Sequence, residues 1–284
     1  PSPTPAPVPK APKPSYLPPG QTSVIVPFDD YSNLVLVQTQ VNNSGPLTFA
    51  IDTAFQSGLI DAKVVQALNL PTIHGSKSGS GSAHFVSFDA KVGALNLPGM
   101  TAKVVALSNL TSVLGVKIDG IFGLDIFQHL GATINYDTGA IRFTSYKALV
   151  PPTDAAAFPI TQSPKGLLVP IMLQSTAGDA IKTPAKIDTG STDGIELTDS
   201  FVRSSKIFSN GQTEILIPSA GNLSTGETAY ASRIGGIQLG TWFLPAPVVT
   251  HNNDITPQPY GAILGGEMLR HYEVTIDLFH SRLY

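Results

Sequence analysis

Phe49-Ala50-Ile51-Asp52-Thr53-Ala54 is the stretch that decides the fold, because its pattern returns much later in the chain. The second copy is Ala185-Lys186-Ile187-Asp188-Thr189-Gly190, at an offset of 188 − 52 = 136 residues. Another pair, Ile121-Phe122-Gly123 and Ile263-Leu264-Gly265, is offset by 265 − 123 = 142 residues. From that pair the two halves align without a gap to the last residue. This repetition predicts a duplicated lobe with a loop insertion in the second half.

Proline marks the boundaries of the predicted lobes. The start of the chain has proline at almost every second position, which forbids helix and predicts a polyproline II tether. A second proline-bearing stretch separates the two copies of the motif. The predicted parts are a tether over residues 1–22, an N-terminal lobe over 23–148, a linker over 149–164 and a C-terminal lobe over 165–284.

The pattern of residues in both predicted lobes predicts an all-β protein. Short runs of Val, Ile, Leu, Thr and Phe alternate with Gly, Asn, Ser and Pro, which is typical of many short strands. Helical patterns are few, and we predict two short helices, over residues 61–68 and 125–130, the second ended by Gly131.

Composition excludes several classes of protein. Hydrophobic residues make up 42% and charged residues 13%, which indicates a folded globule, and a net charge of −3 gives no electrostatic reason to expect a nucleic-acid partner. The chain has no cysteine, which excludes disulfides, thiol nucleophiles and cysteine-bound metals. The six histidines lack metal-ligand spacing, so we expect neither metal nor cofactor. No apolar run is long enough for a transmembrane segment.

The order of motifs in each half resembles a known superfamily. Each half has an apolar strand ending in Asp-Thr, and later an apolar-apolar-Gly triplet followed by a short helical segment. This resembles the aspartic peptidases of the retropepsin/pepsin type, in particular compact bacterial enzymes in duplicated single-chain form. The resemblance covers the chain from about Val24 to its end. It implies a bilobal fold of two β-barrel-like lobes with short helices and a cleft between them.

The resemblance implies a catalytic pair, Asp52 and Asp188. Two carboxyl groups held close together do not both ionise readily, so one serves as the acid while the other serves as the base that activates a water. The threonine hydroxyls that follow the two aspartates are expected to donate hydrogen bonds across the lobe boundary. The other implied residues are those of the active-site loops, Thr53, Ala54, Thr189, Gly190 and Ser191, and those of the supporting segments, Ile121, Phe122, Gly123, Ile263, Leu264 and Gly265.

A third Asp-Thr-Gly tests how specific the short motif is. Asp137-Thr138-Gly139 lies between two predicted strands, and its counterpart, Phe279-His280-Ser281, does not repeat it. Asp and Gly favour tight turns for local reasons, so we interpret this tripeptide as a hairpin turn. The paired occurrence, and not the tripeptide itself, therefore carries the prediction.

Glycine- and serine-rich segments occur where family members have flaps over the cleft. Their composition suits a mobile lid, although a plain surface loop fits it equally well. The candidate flap residues are Gly79, Ser80, Gly81, Gly221, Asn222 and Gly226.

Two residues of the first loop depart from the family pattern. Ala54 stands where the pattern has glycine, and Phe55 cannot supply the hydroxyl that Ser191 supplies in the second loop. A methyl group at position 54 is a restraint if that turn needs positive φ. Three hypotheses therefore stay open. The chain is an aspartic endopeptidase acting on extended or unfolded polypeptide, a peptide-binding protein with an impaired site, or a tethered β-rich structural module.

The resemblance and the tether also give expectations about the setting of the protein. Because both aspartates lie on one chain, we expect a monomer. The tether favours a periplasmic, cell-surface or secreted location. The absence of disulfides favours a bacterial source.

Overall fold

The computed structural model describes residues 15–74, 84–208, 212–218, 228–252, 254 and 256–284. Within these ranges the chain has the predicted all-β architecture with a few short helices. Two sheets form the two lobes, and a third sheet joins them.

The elements of the first half precede those of the second half along the chain. The first half contains β1 Ser23–Pro27, β2 Asp29–Tyr31, β3 Leu34–Val41, β4 Leu47–Ile51, β5 Gly58–Asp61, α1 Ala62–Leu68, β6 Thr72–His74, β7 His84–Val92, β8 Leu95–Val105, α2 Ser108–Leu114, β9 Gly120–Phe122, the 3₁₀ helix η1 Leu124–Phe127, β10 Leu130–Asn135 and β11 Ala140–Ser145. The second half contains β12 Phe158–Pro159, β13 Thr161–Ser163, β14 Gly166–Gln174, β15 Ala180–Ile187, β16 Ile195–Leu197, α3 Asp199–Ser205, β17 Ile215–Pro218, β18 Thr228–Arg233, β19 Gly236–Leu239, β20 Trp242–Pro245, β21 Val248–His251, β22 Ala262–Leu264, α4 Gly266–Leu269, β23 Glu273–Asp277 and β24 Arg282–Leu283.

The two lobes share a strand connectivity around their motif strands. In the first lobe the sheet order is β2-β3-β4-β9-β5-β8-β7-β6, and an additional pairing of β3 with β7 curls the sheet toward a barrel. In the second lobe the order is β17-β18-β21-β16-β22-β15-β14-β19-β20, with β13 paired to β14. In both lobes the strand before the aspartate pairs in parallel with the strand of the apolar-apolar-Gly triplet. Parallel pairing of this kind requires the long crossover between the two motifs.

A third sheet joins the lobes. Its order is β1-β11-β10-β23-β24-β12, so strands of the first half and the second half meet where β10 pairs with β23. At this junction the hydroxyl oxygens of Thr133 and Thr275 lie 2.8 Å apart, at hydrogen-bond distance. The shared sheet fixes the position of one lobe relative to the other, and with it the relative position of the two aspartate loops.

The predicted helix over residues 61–68 is confirmed, with Asp61 as the residue that caps it. The Asp61 carboxylate accepts a hydrogen bond from the Lys63 N–H at 2.8 Å, as an N-cap side chain does. The predicted helix over residues 125–130 is wrong in length and type. A 3₁₀ helix covers Leu124–Phe127, and Leu130 already pairs with Ser145 as the first residue of β10. Pairing with the joining sheet takes over before a longer helix can form.

The third Asp-Thr-Gly forms the hairpin turn that the sequence predicts. Residues 136–139 connect β10 and β11, and Gly139 has a φ of +58°, which favours glycine. Asp137 is exposed at this turn, far along the chain from either aspartate loop.

Part of the predicted tether packs on the first lobe. Leu17 is buried in the hydrophobic core, the ring of Tyr16 stacks on His129 with centroids 4.6 Å apart, and the Asn96 N–H donates to the Tyr16 carbonyl at 2.9 Å. Residues 1–14 lie outside the described part of the chain. The lobe and linker boundaries stay predictions, and β12 and β13 lie within the predicted linker.

Candidate active site

The two aspartate loops are built in the same way. β4 and β15 each end just before an aspartate, and each lies beside a triplet strand, with Ile51 opposite Phe122 and Ile187 opposite Leu264. The N–H of Asp52 donates to the Phe122 carbonyl at 2.9 Å, and the N–H of Asp188 donates to the Leu264 carbonyl at 3.0 Å. Each supporting segment therefore fixes the point at which its aspartate leaves the sheet.

The glycine of each triplet leaves room for the aspartate loop. A Cβ atom added to Gly123 would lie 2.6 Å from the Phe55 carbonyl oxygen, and one added to Gly265 would lie 2.3 Å from the Asp193 carbonyl oxygen. Any side chain at either position would force the loop out of place, because real Cβ atoms do not approach backbone so closely. The structure thus places the predicted supporting segments directly under the loops.

Two threonines tie the loops together across the lobe boundary. The hydroxyl of Thr53 donates to the Ile187 carbonyl at 2.7 Å, and the hydroxyl of Thr189 donates to the Ile51 carbonyl at 2.8 Å. Each hydroxyl also accepts a hydrogen bond from the backbone N–H of the opposite threonine, at 3.1 and 3.2 Å. Both threonines are buried, so each of these polar groups obtains its partner from the other lobe.

The structure brings the carboxyl groups of Asp52 and Asp188 together. The residues are 8% and 7% exposed, and the Asp52 carboxyl group lies against the second loop, where a Cβ atom on Gly190 would be 2.1 Å from its Cγ. One oxygen of each group also accepts from its own loop, Asp52 from the Ala54 N–H at 2.8 Å and Asp188 from the Gly190 N–H at 3.1 Å. Burial, and then the charge of Asp188, raise the pKa of Asp52 well above its usual range. The pair is thus suited to hold one proton between two carboxyl groups.

Glycine at position 190 is required by space and not by backbone conformation. A Cβ atom there would lie 2.1 Å from the Cγ of Asp52, so the carboxyl group of Asp52 occupies the volume of a side chain. Neither Gly190 nor Ala54 has a positive φ. The first loop therefore carries its methyl group at Ala54 without backbone strain.

The other departure in the first loop concerns Phe55. Phe55 is 38% exposed and has no hydroxyl group. In the second loop the hydroxyl of its counterpart, Ser191, accepts a hydrogen bond from the Asp193 N–H at 3.2 Å. Ser191 thus orders its own loop. The backbone carbonyls of Phe55 and Ser191 both accept an N–H from the segment below, so the two loops keep the same support.

A buried lysine beside the dyad is the feature that sequence reasoning missed. The Nζ of Lys186 lies 2.7 Å from Oδ2 of Asp188, and both side chains are largely buried. Nζ also lies 5.5 Å from the centre of the Tyr260 ring. Lys186 lies on β15 two residues before Asp188, which directly follows that strand, so the alternation of the strand places the two side chains on one face. That spacing was visible in the sequence, and so was the alanine, Ala50, at the corresponding position of the first lobe.

A second acidic group lies behind the lysine. Glu196 lies on β16 and Lys186 lies on β15, and both pair with Ile263 of the strand between them. The two residues are therefore in the same row across the sheet. Its carboxylate accepts a hydrogen bond from the Asn252 side chain at 3.2 Å. Burial, and then the charge of Asp193, raise the pKa of Glu196 to about 7.

The candidate flap residues Gly79, Ser80, Gly81, Gly221, Asn222 and Gly226 lie outside the described residues. The strands flanking the two segments are described, with His74 opposite His84 and Pro218 opposite Thr228. Among the described residues, no cluster of His, Asp and Glu has the arrangement of a metal site. No helix in the described ranges has the length and apolar character needed to cross a membrane.

Comparison with known proteins agrees with this architecture. The family model described as aspartyl protease matches residues 37–126. The structure is similar to that of an aspartic proteinase from Irpex lacteus, with a TM-score of 0.56, 14% sequence identity, and 92% of this chain and 96% of that chain covered. It is also similar to Basic 7S globulin from soybean, with a TM-score of 0.50, 13% identity, and 92% and 94% of the two chains covered. At these identities the likeness concerns the fold.

No curated protein matches the sequence. The family match covers part of the first lobe, and the bilobal fold shared with a pepsin-like aspartic proteinase extends over nearly the whole chain.

Proposed function

We propose that the protein is an aspartic endopeptidase that hydrolyses peptide bonds in extended polypeptides, with Asp52 and Asp188 as its catalytic residues. The observation that carries the proposal is that two buried carboxyl groups lie close together where the two aspartate loops meet, with Asp52 packed against Gly190 of the opposite loop. A structural module without activity has no need of this arrangement, because two buried carboxyl groups in contact destabilise a fold unless one of them is protonated.

The proposed chemistry needs one proton on the pair. The ionised carboxylate takes a proton from water while the water oxygen bonds to the peptide carbonyl carbon, and the protonated carboxyl group gives its proton to the carbonyl oxygen. In the second step the first carboxyl group returns its proton to the amide nitrogen as the C–N bond breaks. The other carboxylate takes a hydroxyl proton from the intermediate, which restores the starting state. Water is consumed, and no cofactor takes part.

The substrate is proposed to bind as an extended strand between the lobes, through main-chain hydrogen bonds. Both aspartates belong to one chain, so a monomer is sufficient for activity. The repeated loops and triplets support an origin by internal duplication. We further propose that the protein is bacterial, that it acts in the periplasm, at the cell surface or after secretion, and that it has no nucleic-acid partner.

The test is cleavage of a mixed peptide library across the range from about pH 3 to about pH 8, with and without a statine-type transition-state analogue. Asp52→Asn and Asp188→Asn should each abolish cleavage while leaving the folded state intact. Asp137→Asn is the matched control, because Asp137 belongs to the same tripeptide but is exposed in a hairpin turn. Full activity in Asp188→Asn would end the proposal.

A second candidate is a protein that binds extended peptides without cleaving them. Ala54 and Phe55 in the first loop favour this alternative, because both depart from the family pattern next to Asp52. It predicts that the statine analogue binds the wild-type protein while no peptide in the library is cleaved at any pH. Inhibitor-sensitive cleavage excludes it.

A further inference from the structure

The dyad is asymmetric because, among the described residues, a lysine forms an ion pair with Asp188 and none does so with Asp52. Lys186 lies on β15 with its Nζ 2.7 Å from Oδ2 of Asp188, and the lysine residue is 9% exposed. The corresponding residue on β4 is Ala50, which pairs with the triplet strand in the same register and carries no charge. Asp52 therefore has no cation from its own strand.

The surroundings of Lys186 keep its amino group in place. Nζ lies over the Tyr260 ring, 5.5 Å from its centre. The start of β14 lies beside the aliphatic part of the side chain, since a Cβ atom on Gly166 would lie 3.4 Å from the Cδ of Lys186. The ammonium group is thus directed at Asp188 by a ring on one side and backbone on another.

The charge of Lys186 is maintained by the acids around it. Burial lowers the pKa of the lysine, but the carboxylate of Asp188, followed by Tyr260 and Asp52, raises it by more, so the pKa lies above its usual value. The other titratable group facing this pair is Glu196, from β16. A buried ammonium ion without an anionic partner is costly, so the stable arrangement has Lys186 positive and its nearest carboxylate negative.

We propose that Lys186 is a positioning residue of the dyad, which holds Asp188 as the ionised carboxylate and so leaves the shared proton on Asp52. This inference rests on the proposed function and refines it. Asp188 becomes the group that takes the proton of the attacking water, and Asp52 becomes the acid that protonates the carbonyl oxygen. Water supplies the atoms added, and the proton count of the two-step scheme is unchanged.

The direct test requires no substitution at Lys186. Aspartate labelled with ¹³C at Cγ reports the ionisation of each carboxyl group by NMR, and the spectra of Asp52→Asn and Asp188→Asn assign the two resonances. Between the two titration steps of the pair, the Asp188 resonance should be that of a carboxylate and the Asp52 resonance that of a carboxylic acid. The reverse assignment, or a proton shared evenly, would overturn the inference.

Substitution of the lysine gives the second test. Lys186→Met removes the cation and keeps most of the side-chain volume, so the acidic limb of the kcat/KM profile should move to higher pH by about one unit or more. Lys186→Arg keeps the charge and should restore the wild-type profile. Lys182→Met is the matched control, because Lys182 lies on the same strand and face but is exposed. A purely structural lysine would lower stability and leave the profile of the folded variant unchanged.

The two readouts separate this inference from the proposed function. If the wild-type protein cleaves nothing but its carboxyl groups titrate as described, the peptidase proposal fails and the role of Lys186 stands. If the protein cleaves peptides but the assignment of the ionised carboxylate is reversed, the role of Lys186 fails and the peptidase proposal stands.

Discussion

Thr189→Val should destabilise the protein because it removes two hydrogen bonds between the lobes. The substitution keeps the shape of the side chain but removes a hydroxyl that donates to the Ile51 carbonyl at 2.8 Å and accepts from the Thr53 N–H at 3.2 Å. Both partners are buried backbone groups of the opposite lobe. Each group left without a partner costs about 1–3 kcal/mol. We therefore expect the free energy of unfolding to fall by at least about 2 kcal/mol.

The matched control is Thr39→Val in β3. Thr39 is as fully buried as Thr189, but its hydroxyl has no hydrogen-bond partner among the described residues. Replacing an unpaired buried hydroxyl with a methyl group should leave stability unchanged or raise it by about 1 kcal/mol. The same chemical change is thus expected to have opposite effects at two buried sites.

The assay is urea unfolding of the wild-type protein and both variants, followed by circular dichroism and by tryptophan fluorescence. Coincident transitions by the two probes would establish that the lobes unfold together, which is the condition for comparing free energies. Peptide cleavage by folded Thr189→Val should also fall, because the loops lose part of their alignment. Equal losses of stability in the two variants would refute the reasoning, since volume and burial alone would then account for both.

Two further predictions concern the packing and the charge of the site. Gly190→Ala should reduce kcat/KM by about 100-fold or more, because the new methyl group would lie 2.1 Å from the Asp52 Cγ and displace that carboxyl group. Gly45→Ala is the neutral control, because a Cβ atom at Gly45 would have no neighbouring atom within 4 Å. Full activity in Gly190→Ala would contradict this geometry. Glu196→Gln should flatten the pH dependence of stability. The pKa of Glu196 is about 7 in the folded protein against 4.5 in the unfolded chain, so the folded protein binds the proton of this carboxyl group more tightly. The protonated group therefore contributes its full share to the free energy of unfolding below pH 4.5, and this contribution is lost as pH rises to about 7. Urea unfolding at the two ends of this range should show a loss of up to about 3 kcal/mol in the wild-type protein and a much smaller one in the variant, and equal losses would show that another group is responsible.

Much of the fold was predictable because it follows from repeated local patterns. The recurrence of Asp52-Thr53 as Asp188-Thr189, with a glycine triplet at a similar distance, indicated two lobes and singled out the two aspartates. The turn at Asp137 was predictable for the same reason, since the strands flanking it are apparent in the sequence. The helix predicted over residues 125–130 failed because residue 130 pairs with a strand of the joining sheet, a partner that helical periodicity does not reveal.

The sequence by itself determined where strands and turns form, because side-chain alternation and turn residues act over a few neighbouring positions. Only the tertiary structure decided which groups meet across the lobes and which are buried in contact within one lobe. It showed that Gly190 is a glycine because the carboxyl group of Asp52 fills its side-chain space, and that Lys186 reaches one carboxylate of the pair. These contacts join residues more than a hundred positions apart or depend on exclusion from water, and neither property is encoded in a local stretch of sequence.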